Sequence, residues 1–502
     1  MKKQFKIYIM ASLTIVSTFT ACKKTLDIQP TDQIESSTAL STKAGVEATV
    51  VSIYATLKGQ NLYGNALIGL GEALADNGRS TNRSGRYVNE AANVKGAHYA
   101  HWSNSYAAIN RINLVLETLP GITQAGFTQA QKDAYVGELK FLRALYYFDL
   151  VKCYAYIPGA DVPSQDFGGV PLILKSTQTI NQALTLSAPR APIDAVYTQI
   201  YADLDDAMAK IPQTTTLVKR ATYLGAEALY SRVALYRKDF AKVITLASDV
   251  ITKSASTHPL LTTANYVAGF RAAVNPESLF EVAYTISSES LGVNVSLQTL
   301  FTTLTVPGNR AVGAGFGDLV PTSTLLTDLG ITVTGNGGAS PVITARSSDV
   351  RNQLYELGSQ ARGTPYYVEC TKYIGRSGAP NLDDVPVIRT SEVYLNRAEA
   401  YANLGGNDAL ALADVNAIRT NRGLPAAVGL TGAALTTEIA LQRRVELAFE
   451  GHRFLDLKRQ GQDIFKPALG TTFLFTNPLL LPAIPQSDVD ASVGVLKQNP
   501  GY

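Results

Sequence analysis

Residues 138–150 read Glu-Leu-Lys-Phe-Leu-Arg-Ala-Leu-Tyr-Tyr-Phe-Asp-Leu, and this stretch decides the fold. Leu139, Leu142, Leu145 and Phe148 recur every third residue, which predicts one apolar face of a helix. Its centre, Arg143-Ala144-Leu145-Tyr146-Tyr147, returns as Arg232-Val233-Ala234-Leu235-Tyr236 and again as Arg397-Ala398-Glu399-Ala400-Tyr401. Each copy sets a small or branched residue after the arginine and a tyrosine four positions on. Small residues at helix crossings, with an aromatic wedge, are what stacked helix hairpins of tetratricopeptide type need. Short turns and second helices follow two of the copies, at 237–239 and 404–407. The copies are unevenly spaced, so the reading is a mainly α helical scaffold with long loop insertions, not a regular solenoid.

The same periodicity extends outward. Val46, Val50, Ile53 and Leu57 share a face behind Ser41 or Thr42 as N-cap. Ile109, Ile112, Leu116 and Leu119 form another, closed by Pro120-Gly121, and Val196, Ile200, Leu204, Met208 and Ile211 a third, stopped by Pro212. Helices are also expected over 221–236 and 240–251. Near the C-terminus Thr390 or Ser391 is placed to cap a helix through Leu395, Ala398 and Ala402, ended by Gly405-Gly406. Two more are expected over 407–422 and 436–449. Between 253 and 385 the composition shifts to Gly, Ser, Thr, Asn and Pro, which reads as long loops with a few short strands. Polar stretches at 76–99 and 157–171 are similar. Long insertions without regular structure in a packed body are usually functional.

The first 21 residues do not belong to this body. Lys2, Lys3 and Lys6 precede an apolar run over 7–19, then come Thr20, Ala21 and Cys22. This is signal-peptide architecture with a cysteine at the cut. It resembles a lipobox, although Phe19 stands where leucine is usual, and it makes Cys22 the expected lipidation site. The segment holds three of the 44 basic residues and none of the 41 acidic ones, so the remaining chain is balanced. A balanced chain argues against nucleic acid as partner, since phosphate binding concentrates positive charge. Cys153 and Cys370 read as buried free thiols, a disulfide between them being the alternative.

Further motifs carry a family resemblance. The segment 22–30, Cys-Lys-Lys-Thr-Leu-Asp-Ile-Gln-Pro, the helix 138–150, the turn Gly168-Gly169-Val170-Pro171-Leu172 and the region 387–401 all resemble the SusD/RagB family of nutrient-uptake outer-membrane lipoproteins. The most specific match is 443–459, Arg-Arg-Val-Glu-Leu-Ala-Phe-Glu-Gly-His-Arg-Phe-Leu-Asp-Leu-Lys-Arg, joined by Ile484-Pro485 and Gln498-Asn499-Pro500-Gly501-Tyr502. Asp488 departs from the commoner glutamate. The resemblance implies four tetratricopeptide-like repeats, a ligand face built from inserted loops, and no catalysis or cofactor. It further implies a surface-exposed protein, lipid-anchored in the outer membrane, that passes oligosaccharides or peptides to a SusC-like TonB-dependent transporter. The organisation expected is a signal over 1–21, helical regions over 22–252 and 386–502, and a loop-rich insertion over 253–385. The alternative is a helical-repeat interaction scaffold with no small ligand.

Glu446, Glu450, His452 and Asp456 invite a glycosidase reading. Arg443, Arg444 and Arg453 beside them favour an ion network instead, because a carboxylate among guanidiniums is a poor general acid. His98 and His101, three apart, lack further donors at metal-ligand spacing. Sugar binding needs aromatic faces with fork-like donors and acceptors. Asn77, Arg79, Asn82, Arg86 and Tyr87 lie in one polar loop, with Trp102, the only tryptophan, just beyond as either stacking platform or core residue. Asn309, Arg310, Phe316, Tyr355, Tyr366 and Tyr367 are the candidates for an opposite wall.

Overall fold

The computed structural model describes residues 40–186, 188–285, 287–375 and 379–502, so the signal segment and Cys22 lie outside the described residues. Thr42 accepts the Gly45 N–H at 3.2 Å and starts α1 (Lys43–Leu57), whose Val46, Val50, Ile53 and Leu57 are all buried. A short, almost wholly buried helix follows, α2 (Ala66–Ala73). Next come α3 (Trp102–Thr118), α4 (Gln129–Tyr154), α5 (Ile193–Lys210), α6 (Tyr223–Arg237) and α7 (Phe240–Ser254). The C-terminal part supplies α8 (Thr390–Leu404), α9 (Asp408–Asn421), α10 (Gly432–Glu446) and α11 (Arg453–Arg459). Helices pack in sequential pairs, α4 on α5, α6 on α7 and α8 on α9, while α8 also joins α7 and α10.

The repeated arginines explain the pairing. Arg143 on α4 grips Asp203 on α5 through Nε (2.8 Å) and Nη2 (2.7 Å), and Arg397 on α8 grips Asp414 on α9 at 2.9 and 2.7 Å. Both are forked, charge-assisted contacts that fix two helices at one crossing. The middle copy differs: Arg232 on α6 reaches past α7 to Glu392 at the start of α8, at 2.6 Å through Nε.

Two boundaries differ from expectation. Neither Thr390 nor Ser391 caps α8; the cap position is Arg389, without a side-chain cap bond, and the Thr390 hydroxyl donates to the His258 carbonyl at 2.7 Å. The next-to-last long helix starts at Gly432 and ends at Glu446, because Phe449 (φ 64°) and Gly451 (φ 85°) turn the chain left-handed.

The strands form antiparallel two-stranded ribbons: β1 (Gly78–Ser80) with β3 (Leu319–Pro321), β4 (Ile331–Thr334) with β5 (Val342–Arg346), and β6 (Tyr355–Leu357) with β7 (Val368–Cys370). β2 (Ser278–Val282) pairs with β8 (Val385–Arg389), setting Val282 opposite Val385, so the chain leaves and re-enters the helical body at one place.

Beneath the loops lies a dry ionic core. Arg422 meets Glu446 (3.0 and 2.8 Å) and Glu277 (2.8 Å); Arg389 meets Glu277 (2.6 Å), Glu446 (3.2 Å) and Glu450 (2.8 Å); Arg351 meets Asp349 at 2.6 Å. The Arg422 and Arg389 guanidiniums hold the Glu446 carboxyl well below the usual range despite its burial. Taking these charges out of water is costly, and the opposite charge beside each of them offsets that cost. Cys153 and Cys370 are separate buried free thiols, each pushed up to about 12 by burial.

Candidate ligand-binding site

β1 brings the 76–99 loop onto the insertion: Arg79 stands opposite Val320, and Thr81 N–H donates to Asp318 O at 2.9 Å. Arg83 ties three strands of chain together, donating to Glu369 Oε1 (2.8 Å), Pro365 O (2.7 Å) and Phe316 O (3.1 Å). Glu369 in turn accepts from Thr303 N (2.6 Å) and the Thr302 and Thr303 hydroxyls. Arg86 Nε donates to Asp318 Oδ2 at 3.0 Å. The two walls expected from sequence therefore do meet.

Their rings, however, are occupied. Arg79 and Arg83 lie over Tyr367 at 5.0 and 5.3 Å, Arg86 and Arg362 over Phe316 at 4.8 and 4.7 Å, and Arg310 over Tyr366 at 5.4 Å. Tyr367 is only 6% exposed, so it braces guanidiniums and offers no open sugar platform. Such stacks hold an arginine side chain in place while leaving its edge N–H groups free.

Beside this face opens a cleft of about 380 Å³ between α2, the 85–90 turn and residues 294–300. Its lining combines the amides of Gln60, Asn61, Asn65, Asn89 and Asn294 with the charged Arg86 and Glu90, the rings of Tyr87 and His98, and apolar Leu70, Val295 and Leu300. The placement follows from local structure. Tyr87 adopts a left-handed φ of 59° and packs flat on α2, where a Cβ on Gly69 would sit 2.4 Å from its hydroxyl. That hydroxyl donates to Asn65 Oδ1. Amide groups around a hollow of this size suit a ligand rich in hydroxyls, each of which both donates and accepts.

The proposed residues divide accordingly. Arg86 and Tyr87 line the cleft, and Arg79 and Asn82 line a neighbouring hollow of about 230 Å³ with Val88 and Leu469. Asn309 is exposed but turned on itself, its Oδ1 accepting from Ala311 N at 3.1 Å. Asn77 is a correction: it is fully buried, donating to Glu72 Oε2 (2.9 Å) and accepting from Arg444 Nε (2.8 Å). Trp102 is another, 2% exposed, its Nε1–H bound to Asp488 Oδ2 at 2.9 Å and its ring against Tyr106 and Tyr154. Tyr355 is core, edge-on to Phe449. Gln60, Asn61, Asn65, Asn89 and Asn294 were missed; the Gln60-Asn61-x-Tyr63-Gly64-Asn65 break between two helices was the available signal.

Glu446 and Glu450 belong to the ionic core, and Asp456 is held by Arg443 and Arg459 at 2.9 Å each. His98 and His101 turn to different partners, His98 Nδ1 accepting from Tyr99 N (2.9 Å) and His101 Nε2 meeting Asp149 O (3.2 Å).

Comparison with known proteins yields two family models. One described as the SusD family matches residues 347–502, and one described as starch-binding associating with outer membrane matches 24–235. SusD-like protein P2 of Formosa agariphila is 26% identical with 100% of each chain covered, and SusD-like protein P38 of the same organism is 24% identical over 94% of this chain and 95% of its own. Among solved structures, a SusD superfamily protein of Bacteroides thetaiotaomicron superposes with a TM-score of 0.77 at 22% identity, over 91% of this chain and 99% of its own. A laminarin-binding SusD-like protein superposes with a TM-score of 0.68 at 25% identity, over 92% and 100%.

Proposed function

The chain belongs to the SusD/RagB family, and from that premise we propose that it captures oligosaccharides in the amide-lined cleft and delivers them to a transporter. The observation that carries this reading is the cleft itself: five amide side chains, with Tyr87, His98, Arg86 and Glu90, around about 380 Å³, framed by loops that ionic and cation–π contacts hold in place. Neutral forks recognise hydroxyls without requiring charge on the ligand, and a prearranged rim lowers the ordering cost of binding. The laminarin-binding relative and the starch-binding family description both support a glycan over a peptide. Glu446, Glu450 and Asp456, the acidic cluster that a hydrolase reading would draw on, are paired with arginines, which supports binding without turnover.

In this reading Cys22 carries the acyl chains, the protein sits at the outer membrane, and its partner is a SusC-like TonB-dependent barrel. Anchoring is consistent with the described residues, where no helix is long and apolar enough to cross a membrane. Calorimetry against laminarin and starch oligosaccharides, with a peptide panel alongside, tests it. Saturable glycan binding that weakens about tenfold in Asn89→Ala/Asn294→Ala is expected, each lost hydrogen bond contributing on the order of 1 kcal/mol. Released reducing ends would point to a hydrolase, and silence from every glycan, with a barrel still co-purifying, to a scaffold.

A further inference from the structure

Many arginines of the helical body end on a carboxylate, as Arg143, Arg232, Arg397 and Arg422 do. Several in the inserted loops do not: Arg271 and Arg346 end on backbone carbonyls, and Arg79, Arg310 and Arg362 lie on the loop face. Arg310 donates to the Gly358 carbonyl at 2.9 Å, and Arg362 donates to the Gly315 and Ala314 carbonyls at 2.6 and 2.7 Å. Arg79 has a buried Nε that meets no acceptor among the described residues. Of the nearby carboxylates, Asp318 is taken by Arg86 and Glu369 by Arg83, while Glu356 accepts from Gly308 N at 2.6 Å and from the Thr371 hydroxyl at 3.3 Å. Each of the three loop-face guanidiniums also lies over its own ring, Tyr366, Phe316 or Tyr367.

These positions are linked. Phe316 lies under both Arg362 and Arg86, and Arg86 lines the cleft; Tyr367 lies under both Arg79 and Arg83, and Arg79 lines the hollow on the other side of the same loop. A chain with near-balanced charge has thus left Arg79, Arg310 and Arg362 without a carboxylate partner on the loop face, beside a cleft whose own charged members are Arg86 and Glu90. Stacking fixes them, carbonyl bonds orient them, and their remaining N–H edges match planar or tetrahedral oxyanions.

Building on the glycan reading above, we propose that the preferred ligand is an anionic oligosaccharide: neutral hydroxyls occupy the cleft, and carboxylate or sulfate groups on flanking sugars meet Arg79, Arg310 and Arg362. The test is calorimetry on the full chain carrying Cys22→Ser. Its probes are an oligogalacturonate, a sulfated laminarin oligosaccharide and unmodified laminarin of equal length, each at about 50 and 200 mM NaCl. An acidic probe is expected to bind at least about tenfold tighter than the neutral one at low salt, with the margin narrowing at high salt as screening grows. Which acidic probe wins separates carboxylate from sulfate. In Arg79→Gln/Arg310→Gln/Arg362→Gln the preference should fall towards one. Arg362→Gln alone, at an exposed position, keeps the test available if the triple variant melts early, and should reduce the preference about threefold.

Equal affinity for neutral and acidic probes overturns this proposal and leaves the glycan-binding reading standing. Binding of none of the glycans overturns both. Equal capture of vesicles containing phosphatidylglycerol would also overturn it, since the arginines would then be serving a lipid surface.

Discussion

Single side chains set how the protein responds to acid. Burial pushes His98 down to about 3, helped by the Lys458 ammonium, and pushes His101 and His452 down to about 4, in the last case against the pull of the Glu392 carboxylate. An unfolded histidine titrates near 6.5, so between about pH 6.5 and 4 the unfolded chain binds protons that the folded one refuses, and stability falls as pH falls. Glu392, which Arg232 draws down to about 2 despite burial, acts in the next window: its contribution is complete above about 4.5 and fades towards 2. Glu72 and Glu227, which burial raises to about 7 and about 8, add stability as pH falls and partly offset this. Calorimetric melting from pH 7 to 3 should therefore show a net decline below about 6.5, in which three histidines outweigh two glutamates; a flat profile down to pH 4.5 would contradict the histidine argument. Residue-scale reading of the sequence failed where partners are remote. Asn77 and Trp102 look like surface binders until Arg444 and Asp488 arrive, 367 and 386 positions later in the chain. Nothing local distinguishes a polar group awaiting a ligand from one awaiting a distant arginine.

Helices with one apolar stripe were legible almost to the residue, as α1 and α5 illustrate, because burial on one side leaves a 3.6-residue period. α2 was not: Ala-Leu-Ile-Gly-Leu-Gly-Glu-Ala is buried nearly all round and so has no stripe to read. Its glycines have a specific purpose. A Cβ on Gly71 would come within 2.4 Å of the Gly451 carbonyl, and a Cβ on Gly451 within 2.6 Å of the Leu67 carbonyl, so helix and turn meet backbone to backbone. Gly71→Ala should consequently lower stability by about 1–3 kcal/mol through overpacking, read as a drop in melting temperature. Gly85→Ala is the control, since a Cβ there meets nothing and only its left-handed φ of 81° is strained. If both variants melt alike, the close approach is not what stabilises this contact. The repeated arginines were visible as a pattern, yet their acidic partners were not, since Asp203, Glu392 and Asp414 keep no common spacing from them.

Across the whole molecule, the helical architecture and family character were legible because helix periods and the 443–459 motif are local in sequence. The cleft was only half legible, because it is assembled from three loops that no single window contains. The proposed anchoring through Cys22 is tested at this scale. Cys22→Ser is expected to move the protein from the membrane fraction to the soluble one without altering glycan affinity, measured by fractionation and then calorimetry; retention in the membrane by the variant would point to another attachment.

The pairing of β2 with β8 has a consequence beyond this chain. Because Val282 faces Val385, the ends of the segment between them lie side by side, so those of its loops that do not reach the frame are free to vary in length at little cost to the helices. Such a segment behaves as an exchangeable cassette. Provided a transplant keeps Arg351, held by Asp349, to meet Glu446 and Gln442, Lys372 to meet Glu450, and Glu369 to receive Arg83, new loops are able to be grafted into an old frame. Variants of the loop face would then arise by exchange of one insert, with the frame unchanged.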